Sequence, residues 1–400
     1  MQGWIQITLI LCAFGFLREI RPSEPFVSEF LTGEWRNITG EQLTRDVYPI
    51  GTYSYLAQLV VVFLITDFLR FKPVIILSGL SGITVYAILL WTSSLEWLQA
   101  SQFFYGLYMA TEVAYFTYIY AKVDSAKYPR VSSYTRIAAL SGRFVSGLSS
   151  QLLVHFHLMD YRDLNYITFT AQILATLWAF GLPSVQFSIY FHRNAAVASP
   201  PIGKQLDVQT SEVRACALVA GHARAAYARP RVLAWSALYA AALALFVQVQ
   251  TYVQLLWSHV QKESHAPVST NSFFFFYILL TVTCDFVQYS NISYAYTKTL
   301  LKLIYFFVSA KIASQLTDDS CFGLIFGINT LAGTGLQSLL TLVLIQGLEL
   351  PLVSQYYALS ALYLLLAIAW LLGWILNTCR QKNNKTKKGK LRTREFACTT

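Results

Sequence analysis

The chain has 400 residues, 55% of them hydrophobic and 12% charged, with a mean hydropathy of +0.47 and a formal net charge of +10. A soluble globular domain carries about 25% charged residues, so this composition argues against a water-soluble fold. The basic residues lie between and after apolar blocks, where membrane topology accounts for them better than nucleic-acid binding does.

The apolar residues gather into blocks of about twenty, the length a helix needs to cross a hydrocarbon core of about 30 Å. Runs such as VIILSGLSGITVYAILLW do not alternate in polarity, which argues against a transmembrane barrel. The fold class expected is therefore an all-α membrane protein. The first stretch, ITLILCAFGF, has no basic residue before it and no small-residue cleavage site after it, and reads as part of a retained helix rather than a signal peptide.

In chain order, blocks bounded by Pro, Gly or charge predict spans near 5–31, 50–69, 73–93, 100–122, 135–157 and 164–187, a six-helix bundle within residues 1–190. A polar segment, 191–231, carries His222, Arg224, Arg229 and Arg231 and reads as a linker. Spans near 232–257, 271–290, 299–317, 321–346 and 351–376 form a second bundle within 232–376, and a basic tail occupies 377–400. Two helical bundles joined by a basic linker outline a major facilitator-like transporter. The positive-inside rule puts the linker, the tail, Arg70 with Lys72, and the stretch Lys122, Lys127, Arg130 and Arg136 in the cytosol, along with both termini. The first long loop then lies outside and holds a glycosylation sequon at Asn37; Asn291 begins a second, and one at Asn384 falls in the tail.

Ionisable groups inside apolar spans are expensive unless they face a partner or a wet cavity. Glu112, in MATEVAYFTYIY, shares a helical face with Tyr108 and Tyr115, a carboxylate among rings that suits a delocalised cation, or else a structural ion pair. Glu24 lies between Pro22 and Pro25, which break or kink the first helix, either as a cation or proton contact or as a helix-end residue. Arg143, in a Gly/Ser-rich span, is expected to pair with Glu112 or another acid, or to hold an anion; Lys311 is expected to snorkel to an interface. Asp67, Arg70 and Lys72 close the second span as a gating charge network, with which Arg143 is grouped, or as plain topology determinants. The six cysteines show neither disulfide nor metal spacing, no cofactor is implied, and no nucleophile, metal or phosphate-binding motif suggests an enzyme or an ATP-driven pump.

The strings RPSEPF, TYSYLAQLVVVFLITDFLRFKPVIIL, FFYG with ATEVAYFTYIY, YPRVSSYTR, TYVQLLW and LIFGINT resemble the reduced folate and thiamine transporter family. The resemblance implies a twelve-helix facilitator fold. In that family the position of Glu112 is arginine in folate carriers and glutamate in thiamine carriers, so the resemblance implies a cationic vitamin, thiamine, as substrate. It also implies that Glu24, Glu112 and Tyr115 contact a cation, that Tyr48 lines the site, and that Tyr252 and Gln254 of TYVQ belong to it.

Three features depart from the pattern. Gly51 replaces a tryptophan of thiamine carriers, Arg143 stands where the family is usually uncharged, and the stretch Ser269–Ile312 is short. It is roughly 40 residues short, which leaves about eleven candidate spans where twelve are needed at about 20 residues each. The expectation is a secondary carrier of thiamine in the plasma membrane, with exchange against protons as the candidate coupling. The alternatives are a carrier of folate or another anionic vitamin, using Arg143 and Lys311, and a membrane protein left transport-inactive by its short second half.

Overall fold

A computed structural model describes residues 3–36, 38–123, 127–185, 217, 220–264, 322–371 and 373. Every regular element among them is helical. Helix α1 spans Gly3–Arg18; after a 3-10 turn at Glu24–Phe26 comes α2, Val27–Thr32. Helix α3, Gly40–Gln42, starts at a Thr39/Gln42 capping box and runs through a π-helical turn, Leu43–Val47, into α4, Tyr48–Phe68. Next come α5 (Lys72–Trp91), α6 (Leu95–Ala110), α7 (Glu112–Lys122), α8 (Tyr128–His155) and α9 (Asp163–Phe180). The second half supplies α10 (Pro230–Ser264), α11 (Phe322–Thr341) with a π-helical turn Leu342–Gly347, and α12 (Leu352–Leu371).

Among the described residues, six helices are long and apolar enough to cross a membrane: Gly40–Thr66, Lys72–Trp91, Arg130–His155, Pro230–Leu256, Leu324–Gly347 and Leu352–Leu371. The shorter Trp4–Arg18 is also apolar. Large apolar side chains on the outside, such as Leu64, Leu177 and Phe180, are more than half exposed, as expected where lipid is the solvent. The expected spans 271–290 and 299–317, Lys311, most of the linker, the tail, the sequons at Asn37, Asn291 and Asn384, and every cysteine but Cys12 lie outside the described residues.

Two of the expected spans are not continuous. The 5–31 span ends as an α-helix at Arg18 and resumes at Glu24, because Pro22 and Pro25 have no N–H to donate to a helical ladder. The 100–122 span is interrupted at Thr111, whose hydroxyl bonds back to the Leu107 and Tyr108 carbonyls.

The chain forms two compact units, Met1–Glu349 and Leu350–Thr400; the second contains α12. Within the first, α4 packs on α6, α5 on α6 and α9, and α1 on α8 and α9, while α10 packs on α11 and α11 reaches back to α4. Close approach at these seams depends on small residues. At Gly106 of α6 a Cβ would lie 2.8 Å from the Tyr55 backbone nitrogen of α4, and at Gly142 of α8 it would lie 2.5 Å from the Phe16 carbonyl of α1. The core between α1, α5, α7 and α9 buries Phe14, Ile75, Ala114, Tyr118 and Ala175.

Two helix ends, those of α5 and α9, are closed by cations, which suit the negative end of the helix dipole. Arg36 donates to the Ile88 and Leu89 carbonyls of α5 at 3.1 and 3.3 Å, and Arg162 to Leu90 at 3.2 Å while lying over the Trp35 ring. Burial lowers the Arg36 pKa to about 10, so it stays charged at neutral pH. Lys72 and Lys122 donate to the carbonyls of Phe180 and Ser184 after α9.

Candidate functional site

Both interrupted helices break at the same place, and among the described residues a cluster of six charged side chains fills it. Arg18, the last residue of α1, lies 3.5 Å from Glu112, the first residue of α7, and 3.6 Å from Glu19. Arg21 pairs with Glu19 at 2.8 Å and with Glu24. Arg143 of α8 donates its Nε to Glu19 at 2.6 Å. Arg18, Glu19 and Arg21 are buried; the Glu112, Glu24 and Arg143 side chains are 23%, 40% and 46% exposed. Three cations balance three anions, which is what makes such a cluster tolerable away from water.

The surrounding helices satisfy the backbone that the break in α1 leaves open. The Arg18 carbonyl accepts from the Gln172 amide at 3.0 Å and the Tyr108 hydroxyl at 3.2 Å, while the Arg18 guanidinium donates to the Tyr108 carbonyl at 3.2 Å. The Arg21 N–H donates to the Ser146 hydroxyl, and the Ser23 N–H to Thr168. The Tyr108 ring lies under both guanidiniums, 4.4 Å from Arg18 and 5.6 Å from Arg21, a cation–π shelf.

The expected site residues fall into three groups. Glu24 and Glu112 are partly exposed members of the ion cluster, paired with Arg21 and Arg18, and the Tyr105 hydroxyl lies 3.4 Å from Glu24. Gln254 of α10 donates to the Glu24 carbonyl at 2.9 Å, and the Tyr252 ring meets the Tyr48 ring edge-on at 5.6 Å, so the second half touches the first at expected positions. Tyr115 faces the other way: it packs on Phe14 and donates its hydroxyl to the Leu11 carbonyl. Gly51 lies against Gln102, whose amide oxygen would be 2.6 Å from an added Cβ, so the space of a tryptophan is taken by a polar side chain.

Arg143 pairs with an acid, but the acid is Glu19 rather than Glu112. It is therefore part of the mid-span cluster and not of the end of the second span. There Arg70 and Phe71 turn the chain with φ values of 61° and 65°, Lys72 caps α9, and the Asp67 side chain lies outside the described residues. Arg18, Glu19, Arg21, Tyr105 and Gln172 are not among the expected site residues. The signal for the first three is present in REIRPSE, four ionisable residues inside an apolar span broken by proline.

Paired breaks in neighbouring helices, with charged groups gathered between them and a contact from the second half, define a membrane transporter of the major facilitator type, as expected. Solved structures share that fold: the nucleoside transporter NupG is 12% identical with a TM-score of 0.56, covering 91% of this chain and 98% of that one. The POT family transporter PepTSo is 14% identical with a TM-score of 0.59, covering 93% and 98%.

The chain belongs to the reduced folate carrier family, which matches residues 2–271 and 268–358. The two matched segments meet where the short stretch Ser269–Ile312 begins. Thiamine transporter 1 of Mus musculus is 29% identical over 463 residues, covering 96% of this chain and 93% of that protein. The reduced folate transporter of Homo sapiens is 29% identical over 436 residues, covering 95% and 74%. Folate transporter 1 of Caenorhabditis elegans is 28% identical over 432 residues, covering 96% and 95%. The family identifies the chain as a multi-pass membrane transporter and not an enzyme, in line with the reading of its motifs.

Proposed function

We propose that this protein carries thiamine or a similar organic cation across the plasma membrane by alternating access, with both termini in the cytosol. A relative named for thiamine and one named for folate are each 29% identical, so overall identity does not choose the cargo. The choice rests on Glu112. Its carboxylate is partly exposed at the break between α6 and α7, and its contact with Arg18 is, at 3.5 Å, longer than a charge-assisted hydrogen bond. A cation reaching this cluster would meet the partly exposed carboxylates of Glu112 and Glu24, with the Tyr105 hydroxyl beside Glu24. Exchange against protons is part of this proposal, because carboxylates at such a break are the groups that would accept them.

A second reading has its own support: Arg143 is nearly half exposed and has the planar fork that suits an anionic vitamin such as folate. Uptake of labelled thiamine into cells expressing the chain, with unlabelled thiamine and folate as competitors, tests the choice. Folate uptake without thiamine uptake overturns the cation assignment.

A further inference from the structure

We propose that Glu19 sets the charge preference of the site. It does so by neutralising Arg143, which stands on a neighbouring helix. The inference rests on the ion cluster being the substrate site proposed above.

Glu19 is the hub of that cluster. It is 3% exposed and touches all three cations: Arg21 at 2.8 Å, Arg143 at 2.6 Å and Arg18 at 3.6 Å. Arg18 and Arg21 each have a second acid, Glu112 and Glu24. Among the described residues Arg143 is ion-paired with Glu19 and with no other carboxylate, although its side chain is the most exposed of the three.

The packing makes this pairing specific. Gly142, the residue before Arg143, brings α8 against the Phe16 carbonyl, and a Cβ there would also lie 3.1 Å from the Glu19 Cβ. The seam that carries Arg143 therefore delivers it into contact with Glu19, while Glu112 stays beyond ion-pair distance.

The consequence is electrostatic. With Glu19 charged, three cations face three anions, and the partly exposed Glu24 and Glu112, each paired with one arginine, leave no unbalanced cation to draw an anion. Without the Glu19 charge the cluster carries one net positive charge, and its most exposed member is a guanidinium suited to carboxylate or phosphate. Glu19 does not touch the cargo in this account; it positions and neutralises the residue that would otherwise select an anion.

The experiment is uptake of labelled thiamine and labelled folate by cells expressing the full chain, normalised to protein at the surface. Glu19→Gln should lower the thiamine-to-folate ratio about tenfold or more, the scale of one unit of differential interaction energy between charge states. Arg143→Gln, at a half-exposed position, should raise the ratio severalfold. Glu19→Gln combined with Arg143→Gln removes one charge of each sign and should return the ratio to within about threefold of wild type, and Glu19→Asp, which keeps the charge, should hold it.

A purely structural role would lower both uptakes together and leave the ratio unchanged in every variant, and that result overturns the proposal. If Glu19→Gln fails to reach the surface, the sign of the Arg143→Gln shift decides, and an unchanged or lower ratio overturns it. The ratio in wild type tests the cation reading separately: a wild-type chain that prefers folate removes that reading, whereas the direction of the variant shifts still judges Glu19.

Discussion

Arg18 closes α1 and Glu112 opens α7, and their side chains meet at 3.5 Å across two helix breaks. A break in one helix alone would leave backbone groups open in the bilayer, at a cost of several kcal/mol each. Here the two breaks supply each other: the Arg18 guanidinium reaches the Tyr108 carbonyl, and the Tyr108 hydroxyl reaches the Arg18 carbonyl. The charged residues and the irregular backbone thus belong to one arrangement, with the Tyr108 ring against the Arg18 guanidinium.

Glu112→Gln should lower cation uptake about tenfold or more, as the loss of about 1.4 kcal/mol or more of charge interaction would, with near-normal protein at the surface. Arg18 keeps Glu19 at 3.6 Å and the Tyr108 carbonyl, so loss of the Glu112 charge does not strand it. The residual cost to folding should then stay near the about 1–3 kcal/mol of an imperfectly paired buried group. Uptake and surface biotinylation measured together check this. Equal loss of both would mark Glu112 as a structural ion-pair residue.

Gly106→Leu should destabilise the first bundle without touching the ion cluster. Its side chain would enter the seam where an added Cβ already lies 2.8 Å from the Tyr55 nitrogen, and backbone does not yield as a side-chain tip does. Overpacking of this kind costs about 1–3 kcal/mol. A lower melting temperature in detergent, with no change in the thiamine-to-folate ratio of the surviving protein, is the expected outcome.

Helix position is more legible in the sequence than helix continuity. Residues 73–93 read as a span because their polar positions are small, and α5 occupies Lys72–Trp91; residues 321–346 coincide with α11 and its π-helical turn. The break near Glu24 is legible from Pro22 and Pro25. The break at Thr111 is not, since it follows no proline or glycine and rests on a threonine hydroxyl bonding its own preceding turn. For a similar reason Glu112 and Glu24 stand out as isolated acids, whereas Glu19 is hidden: a carboxylate between arginines in sequence reads as a helix end until packing brings α8 against it.

Arg36→Gln and Arg162→Gln should each lower stability by about 1–3 kcal/mol and leave transport by surface protein unchanged. Each removes a charged donor from the last carbonyls of α5, which an α-helix leaves without internal partners. The double variant should cost less than the sum, since the two cations serve adjacent carbonyls and each leaves the other room to shift. Melting temperatures of the three variants in one detergent check both statements.

Glu349→Gly tests a conflict between backbone and charge at one end of α11. Glu349 pairs with Arg45 at 3.1 Å, next to the bond from the Tyr53 hydroxyl to Gln346, so this residue joins the two halves of the first compact unit. The side chains are 40% and 65% exposed, and an ion pair so wet is worth about 0–1 kcal/mol. Glu349 also adopts a φ of 46°, a conformation that glycine accepts without the Cβ penalty and that costs other residues about 1 kcal/mol. The two effects nearly cancel, so Glu349→Gly should leave the melting temperature almost unchanged, whereas Arg45→Ala, which loses the pair and keeps the strained backbone, should lower it slightly at low salt and not at high salt. A large loss in Glu349→Gly at both salt concentrations would mean that the ion pair contributes far more than its exposure allows.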